Sequence, residues 1–227
     1  MNELVINGCS YTVNWSPLDL ELGNRLKASK TTNLSLPGSS NSRIFRSTLE
    51  YILKNRVDFV ILAVTFWDRQ EAPWNNSNTI WTDYSPNGPM RPAEIKQDDL
   101  YNNYIQDRYR YDLDYNYIDK LLNDIIIFSG WLESQNIRYL IFSSAENPLG
   151  EPKFLFEYYK RIQEKIQYIR KNVNIIDFEN WNSNQYMYDN GGISNDTNAP
   201  PNSKHYDAKS FAILNDFLYN YIKQHNI

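Results

Sequence analysis

Short runs of apolar residues recur along the chain, separated by longer and more polar stretches. The longest run, Phe59 to Val64, contains no polar residue and has the length of a buried strand. Runs of this kind predict five strands, at residues 3–7, 32–36, 58–64, 138–143 and 174–177. The continuous apolar character of the longest run favours a strand that is covered on both faces.

The stretches between these strands carry apolar residues at helical spacing. Leu18, Leu22 and Leu26 recur every fourth position and would share one face of a helix. Ser40 or Asn41 is available as the N-cap of the next helix, and a later one starts at a proline suited to a first turn. The pattern predicts helices at residues 18–28, 41–55, 117–135, 152–171 and 206–223.

Strands that alternate with helices are typical of an α/β fold in which helices cover both faces of a mostly parallel sheet. We therefore predict a three-layer, flavodoxin-like fold with a five-stranded sheet in the order 2-1-3-4-5 and right-handed crossovers. No linker-like change in composition interrupts the chain, so we expect a single domain over residues 1–227. In such folds, ligands bind beyond the carboxyl ends of the strands.

Two segments rich in aromatic residues break the alternation. An insertion at about residues 66–116 follows the third predicted strand, and a loop at about residues 180–204 follows the fifth. Both leave the carboxyl side of the predicted sheet, where they would roof a crevice. Their rings would either stack on sugar rings or pack a loop that has no core of its own, and the sequence favours neither interpretation.

Composition narrows the classes of function. A net charge of −4 argues against a protein that binds nucleic acid through phosphate contacts. One cysteine excludes an internal disulfide, and two separated histidines without metal-ligand spacing predict no metal site. No apolar stretch has the length of a membrane span, and the N-terminus lacks the pattern of a secretory signal. We expect a cytoplasmic or phage-associated protein without a cofactor, the phage association resting on the abundant asparagine.

Four positions follow predicted strands and should meet at one edge of the sheet. Ser10 follows the first strand, Gly38 the second and Thr65 the third. His205 lies in the loop after the fifth strand, and the only other histidine, His225, lies close to the C-terminus. Because histidine is the side chain best suited to acid–base chemistry near pH 7, His205 is the principal candidate for it.

The same positions carry a resemblance to a known family. Residues 8–12, Gly-Cys-Ser-Tyr-Thr, resemble the Gly-Asp-Ser turn that presents the nucleophile in the SGNH (GDSL-like) hydrolases. Residues 36–41 resemble the second block of that family, which contains an oxyanion-binding glycine. Residues 63–66 lie where the third block belongs, and residues 202–205 lie where the last block, Asp-x-x-His, belongs. The four blocks follow the family's order and span nearly the whole chain.

The resemblance implies a site for acyl transfer to water. Ser10 would be the nucleophile and His205 its general base. The backbone amides of Ser10 and Gly38 would bind the oxyanion, and the Thr65 hydroxyl would assist them. Asn202, at the first position of the last block, would orient His205.

Two positions depart from the family's pattern. Thr65 stands where the family has an asparagine that donates to the oxyanion, and Asn41 on the neighbouring loop is an alternative donor. Asn202 stands where the family has the aspartate that orients the histidine, and an asparagine brings no charge to stabilise an imidazolium. Asp196 and Asp207 are alternative carboxylates.

Structural roles compete with several of these assignments. Ser10 is also suited to cap a helix, and Cys9 is better suited to a small buried position than to a second nucleophile. Trp67 and Arg69, just beyond the third strand, are candidates for contact with the substrate. Arg46 is better explained by an ion pair than by substrate binding.

Together these features predict a serine esterase that hydrolyses an acyl ester, with an O-acylated carbohydrate as its substrate. The carbohydrate is suggested by the habits of the family and by the aromatic segments. Two alternatives stay open. The changes at Asn202 and Thr65 favour a catalytically inactive glycan-binding or phage structural module, and a sugar O-acyltransferase would use the same residues.

Overall fold

A computed structural model describes residues 1–13, 15, 17–66, 69–76, 79–85, 88–89, 103, 114–144, 156–177, 179–194, 205–207 and 209–227. The strands of this part are Glu3–Asn7 (β1), Lys30–Asn33 (β2), Phe59–Val64 (β3), Gln70–Asn76 (β4), Thr79–Ser85 (β5), Gly88–Pro89 (β6) and Arg138–Ser143 (β7). The helices are Ser10–Val13 (α1), Leu18–Arg25 (α2), Asn41–Ile52 (α3), Asp114–Ser134 (α4), Phe156–Asn172 (α5), Ser183–Asp189 (α6) and Ser210–His225 (α7).

The main sheet is parallel and has the order β2-β1-β3-β7. Val5 of β1 lies opposite Thr32 on one side and Val60 on the other, and Ile61 of β3 lies opposite Leu140 of β7. Since every pair in this sheet is parallel, all four strands present their carboxyl ends at one edge. The predicted α/β class and the flavodoxin-like order of these strands are confirmed.

Helices cover both faces of this sheet because alternate strand residues point in opposite directions. Val5 and Leu62 belong to an apolar cluster that includes residues of α3, α4 and α5. Ile6 and Ile61 belong to a second cluster, which includes residues of α2 and α7. The three layers thus follow from strands that are apolar on both sides.

The fifth predicted strand, at residues 174–177, is reduced to a single parallel bridge between Ile175 and Ile141 of β7. The Ile141 amide donates to the Asn174 carbonyl at 2.9 Å, and the Ile176 amide donates to the Ile141 carbonyl at 3.0 Å. The chain then turns at Asp177, whose backbone carbonyl accepts from the amides of Asn180 and Trp181 at 3.3 and 3.0 Å. The segment therefore occupies the fifth position in the order without continuing as a ladder.

Both irregular segments contain regular structure that the sequence did not indicate. In the insertion at 66–116, β4, β5 and β6 form an antiparallel sheet, with Gln70 opposite Tyr84. In the loop at 180–204, α6 begins after Asn182, whose side chain accepts from the Gln185 amide at 2.8 Å. The few apolar residues of α6 show no helical spacing, so the cap was its only signal. The expectation of one domain stays a prediction.

Candidate active site

The Ser10 hydroxyl is presented by the tight turn between β1 and α1. Cys9 is fully buried, and its carbonyl accepts from the amides of Thr12 and Val13 at 3.0 and 3.2 Å. The Thr12 hydroxyl donates to the same carbonyl at 2.9 Å. These bonds close the short helix α1, and Ser10 is its first residue. Cys9 thus lies beneath the turn, while Ser10 is half-buried at its surface.

Asn7 fixes this turn to α3. Its side chain is 1% exposed, and its amide nitrogen lies 3.0 Å from the Ile44 carbonyl oxygen, 2.9 Å from Ser47 Oγ and 2.8 Å from Thr48 Oγ1. Its carbonyl oxygen accepts from the Gly8 amide at 2.8 Å. A buried polar side chain with all of its groups satisfied orients the elements that it joins. Asn7 therefore sets the direction in which the chain leaves β1.

Gly8 lets the turn lie directly against β3. A Cβ atom at this position would lie 2.3 Å from Thr12 Oγ1, 3.0 Å from the Ala63 Cβ and 3.1 Å from the Ala63 carbonyl oxygen. These separations are shorter than van der Waals contact, so a larger residue would push the turn away from the sheet. The glycine is needed here for close approach rather than for a special backbone conformation.

The His205 imidazole is presented by the segment before α7. Ser194 and Tyr206 form an antiparallel bridge, and the Asp207 amide donates to the Ile193 carbonyl at 3.1 Å. The Ser194 hydroxyl donates to the carbonyl of His205 at 2.7 Å. Residues 193–194 therefore hold the backbone on which His205 is carried.

Ser10 and His205 meet across the edge of the sheet. The Nε2 atom of His205 lies 3.0 Å from the Ser10 Oγ, which is hydrogen-bond distance. The imidazole is exposed, and its flat face stacks on the ring of Tyr11, with ring centroids 4.8 Å apart and an angle of 17° between the planes. The serine hydroxyl points to the histidine, so its side chain does not cap α1.

The loop after β2 contacts the turn that carries Ser10. Leu36 connects the loop after β2 to this turn, because its amide donates to the Gly8 carbonyl at 3.3 Å. Gly38 in that loop has φ +78°, a conformation that favours glycine. Within the described part of the chain, neither the Ser10 nor the Gly38 amide donates to a protein acceptor. The role of these two N–H groups at the oxyanion stays a prediction.

Asn41 is committed to a structural role, which corrects its assignment as an oxyanion donor. Its carbonyl oxygen accepts from the Thr65 amide at 2.8 Å. Its amide nitrogen donates to the carbonyls of Thr65 and Phe66 at 3.1 and 3.2 Å. Both N–H bonds are thus used to fix the end of β3, and none is left for a substrate.

Thr65 and Arg69 lie together beyond β3. Thr65 is fully buried, and its hydroxyl accepts from the Arg69 guanidinium at 3.4 Å. The guanidinium also lies over the Phe66 ring, 4.8 Å from its centroid. The Thr65 hydroxyl keeps its own hydrogen for another acceptor. The roles of Thr65 at the oxyanion and of Arg69 in substrate contact stay predictions.

Asp207 is turned towards α7. Its carboxylate accepts from the Ser210 amide at 2.9 Å and from the Ser210 hydroxyl at 2.7 Å. The hydroxyl bond is the main reason why the pKa of Asp207 lies below its ordinary value. This carboxylate therefore serves the start of the helix. Asn202, Asp196 and Trp67 lie outside the described residues, and their proposed roles stay predictions.

Arg46 forms the ion pair expected of it. Two guanidinium nitrogens reach the Glu71 carboxylate at 3.0 and 2.6 Å, and a third contacts Glu50 at 2.8 Å. The hydrogen bond to Glu71, whose side chain is only 5% exposed, is the main reason why the pKa of Arg46 is raised. Arg46 thus anchors β4 to α3.

Sequence reasoning missed Asn7 and Tyr11 as parts of the site. An asparagine at the end of the otherwise apolar run of β1 was a signal for Asn7, because a buried polar residue needs partners. Tyr11 was noted only as part of the turn, and nothing in the sequence placed its ring on His205. In the described ranges, no set of three or more His, Cys, Asp or Glu side chains is arranged to hold a metal ion. No helix within those ranges is both long and apolar enough to cross a membrane.

Comparisons with known proteins bear on the fold. No family model and no curated protein matches the chain. It is similar in structure to the psychrotrophic esterase EstA of Pseudoalteromonas sp., solved with monoethylphosphonate as an inhibitor, with 12% identity, a TM-score of 0.54 and coverage of 99% of this chain and 98% of that one.

Two further solved structures agree. A GDSL-like lipase of Bacteroides thetaiotaomicron has 10% identity and a TM-score of 0.51 over 99% of this chain and 89% of its own. A lipase/acylhydrolase of Enterococcus faecalis has 13% identity and a TM-score of 0.50 over 99% of this chain and 97% of its own. At these identities the likeness concerns the backbone arrangement. The chain has the three-layer, flavodoxin-like α/β fold found in the GDSL (SGNH) hydrolases.

Proposed function

We propose that this protein is a serine ester hydrolase, a divergent relative of the SGNH hydrolases, in which Ser10 is the nucleophile and His205 the general base. The observation that carries the proposal is the 3.0 Å separation of Ser10 Oγ and His205 Nε2. The two residues are 195 positions apart in the chain, and they meet at the carboxyl edge of a parallel sheet, where ligands bind in such folds.

The reaction proceeds in two halves. His205 Nε2 takes the proton of the Ser10 hydroxyl while Oγ forms a bond to the ester carbonyl carbon. The amides of Ser10 and Gly38 bind the oxygen that becomes negative. The tetrahedral intermediate then breaks its bond to the alcohol, which receives the proton from the imidazolium. Water attacks the acyl-enzyme with His205 again as base, and the acid leaves as Ser10 recovers its proton.

A fluorophosphonate probe tests the nucleophile, because it reacts with activated serines. We expect labelling of the native protein and none of Ser10→Ala. Ser134→Ala, which removes a hydroxyl near the far end of α4, serves as the control and should label normally. Labelling that persists in Ser10→Ala, or an inert native protein, would overturn the proposal. The second result would favour the binding module.

The two histidines offer a matched test of the base. His205→Ala should lower turnover of p-nitrophenyl acetate by about 10²-fold or more, since a positioned general base contributes about 10²–10⁴. His225→Ala, at the end of α7, should leave turnover unchanged. Equal turnover in the two variants would remove His205 from the mechanism.

For the substrate we propose an O-acylated carbohydrate. Support comes from the aromatic residues concentrated in the two segments that follow the carboxyl edge of the sheet. Trp181 and Tyr186 do not contribute, because their rings pack against Phe217 at 4.9 and 4.6 Å. Acetylated xylan should be hydrolysed with a kcat/KM at least about tenfold above that of a simple alkyl acetate of equal reactivity. Equal values would exclude sugar recognition, and transfer of acetate to an added sugar would identify a transferase.

A further inference from the structure

We propose that Tyr11 is a positioning residue for His205, on which the imidazole rests and whose π face stabilises the imidazolium formed during acyl transfer. The inference rests on the proposed function for its catalytic part. Tyr11 directly follows the nucleophile in the chain, so one turn would set both the attacking hydroxyl and the surface behind the base.

The tyrosine ring is held rigidly enough to act as such a surface. It is 6% exposed, and the edge of the Phe66 ring packs against it with centroids 5.9 Å apart. Phe66 is in turn covered by the Arg69 guanidinium, 4.8 Å from its centroid. The His205 ring stacks on Tyr11 nearly parallel, with an angle of 17° between the planes. The exposed imidazole therefore has a fixed wall on one face.

The chemistry of the stack favours the protonated ring. An aromatic face attracts a cation centred within about 6 Å, and the His205 centroid lies 4.8 Å from that of Tyr11. His205 becomes a cation only after it has taken the serine proton, so the attraction grows as the reaction proceeds.

Other groups near the imidazole have different partners in the described structure. The β1–α1 turn contributes the Ser10 hydroxyl in addition to Tyr11. On the segment of His205 itself, the Tyr206 phenol is buried, which raises its pKa to about 12, and the Asp207 carboxylate accepts from Ser210. These groups do not change charge between pH 5 and 9, so they do not obscure a titration of His205 in that range.

The chain contains a natural control for this stack. The second histidine, His225, stacks on Tyr221 with ring centroids 4.2 Å apart and an angle of 27°. This pair lies at the end of α7, whereas the proposed site lies at its start. The same substitution at Tyr221 therefore tests what loss of a stack does to a histidine outside the catalytic machinery.

The experiment titrates both histidines by NMR in the native protein and in variants. The His225→Ala spectrum assigns the two imidazole signals. We expect Tyr11→Leu to lower the pH midpoint of the His205 titration by about 0.5 to 1, which corresponds to a threefold to tenfold weaker hold on the proton. Tyr11→Phe should keep the midpoint, and Tyr221→Leu should move only that of His225. A His205 midpoint equal in the native protein and Tyr11→Leu would overturn the inference.

Kinetics give a second readout. Tyr11→Leu should lower kcat by about tenfold with KM changed less than twofold, and the acid limb of the pH profile should move to lower pH. Tyr11→Phe should recover most of kcat, and Tyr221→Leu should match the native enzyme. A raised KM with an unchanged kcat would mean that Tyr11 has only a packing role. Tyr11→Met replaces the leucine variant if thermal melting shows that the latter is unfolded. Hydrolysis that survives in Ser10→Ala would refute the proposed function, and the titration would still decide the stack.

Discussion

The close approach of Gly8 to β3 yields a prediction in which one substitution is made at two glycines. Gly8→Ala would place its new methyl group 2.3 Å from Thr12 Oγ1 and 3.1 Å from the Ala63 carbonyl oxygen. Thr12 cannot move without losing its bond to the Cys9 carbonyl, and Ala63 is part of a buried strand. The turn itself must therefore shift. Gly130→Ala is the control, because a Cβ atom at this position would meet nothing within 4 Å apart from the neighbouring part of α4 itself.

The two variants should differ in the sign of their effect on stability. Overpacking of a tight contact costs about 1–3 kcal/mol, so Gly8→Ala should lower the melting temperature by about 2–12 °C in a chain of this size. Gly130→Ala should raise stability by about 0.5–1 kcal/mol, because alanine is the better helix former. Thermal unfolding followed by circular dichroism measures both changes.

The effect on catalysis should be larger than the effect on stability. Ser10 lies two residues beyond Gly8, and relief of the 2.3 Å contact requires a displacement of the order of 1 Å. A displacement of about 1 Å at a reacting group can cost about 10²-fold in rate. We therefore expect Gly8→Ala to lose about 10²-fold in ester turnover at a temperature where it is fully folded, and Gly130→Ala to lose none. Native turnover and melting in Gly8→Ala would show that the close approach does not constrain the turn.

Three further predictions concern other contacts. Asn7→Ala leaves the Gly8 amide without its acceptor, so the free energy of unfolding in urea should fall by about 2–4 kcal/mol. An unchanged urea midpoint would show that Asn7 does not fix the turn to α3. Arg46→Met should cost about 1–3 kcal/mol because it leaves the buried Glu71 carboxylate without its cation, and the added change Glu71→Gln should restore part of that loss in the same assay. Burial, followed by its hydrogen bond to a glutamate, raises the pKa of Tyr139 to about 12, so the folded chain keeps a proton that the unfolded chain loses near pH 10. Stability should therefore decline as pH rises from about 10 to about 12, and Tyr139→Phe should make the decline shallower; parallel curves would contradict this cause.

The sheet was predictable because burial of a parallel strand leaves a local mark. β3 is apolar at all of its positions, and β1 is apolar at Leu4, Val5 and Ile6, between buried polar residues at its two ends. This continuous apolar character distinguishes the two strands from surface strands. The fifth strand, at the edge of the sheet, was less predictable. Residues 174–177 form one bridge to Ile141 rather than a strand, because the backbone bonds that turn the chain at Asp177 compete with the ladder. No pattern of apolar residues reports that competition.

The sequence predicted the reactive side chains of the site but not the residues that hold them in place. Scarcity singled out His205, and its position after the last strand placed it near Ser10. Asn41 shows the limit, because its residue type allows either an oxyanion donor or a backbone clamp. Only the fold reveals that Thr65 and Phe66 offer three partners at the correct distances. Amide side chains take whichever partners the tertiary structure brings, so their roles do not follow from spacing along the chain.

The two halves of the site are held by contacts of different kinds. The Ser10 turn is fixed to α3 through Asn7, and its close approach to β3 leaves no room for a larger residue than Gly8. His205 is carried by a short segment that one backbone bridge ties to Ser194. The exposed imidazole has two contacts with the Ser10 turn, the hydrogen bond at Ser10 Oγ and the flat face of the Tyr11 ring. The short helix α1 therefore carries both groups that contact the imidazole, so we expect the geometry of the Ser10–His205 pair to depend on the residues that fix that turn.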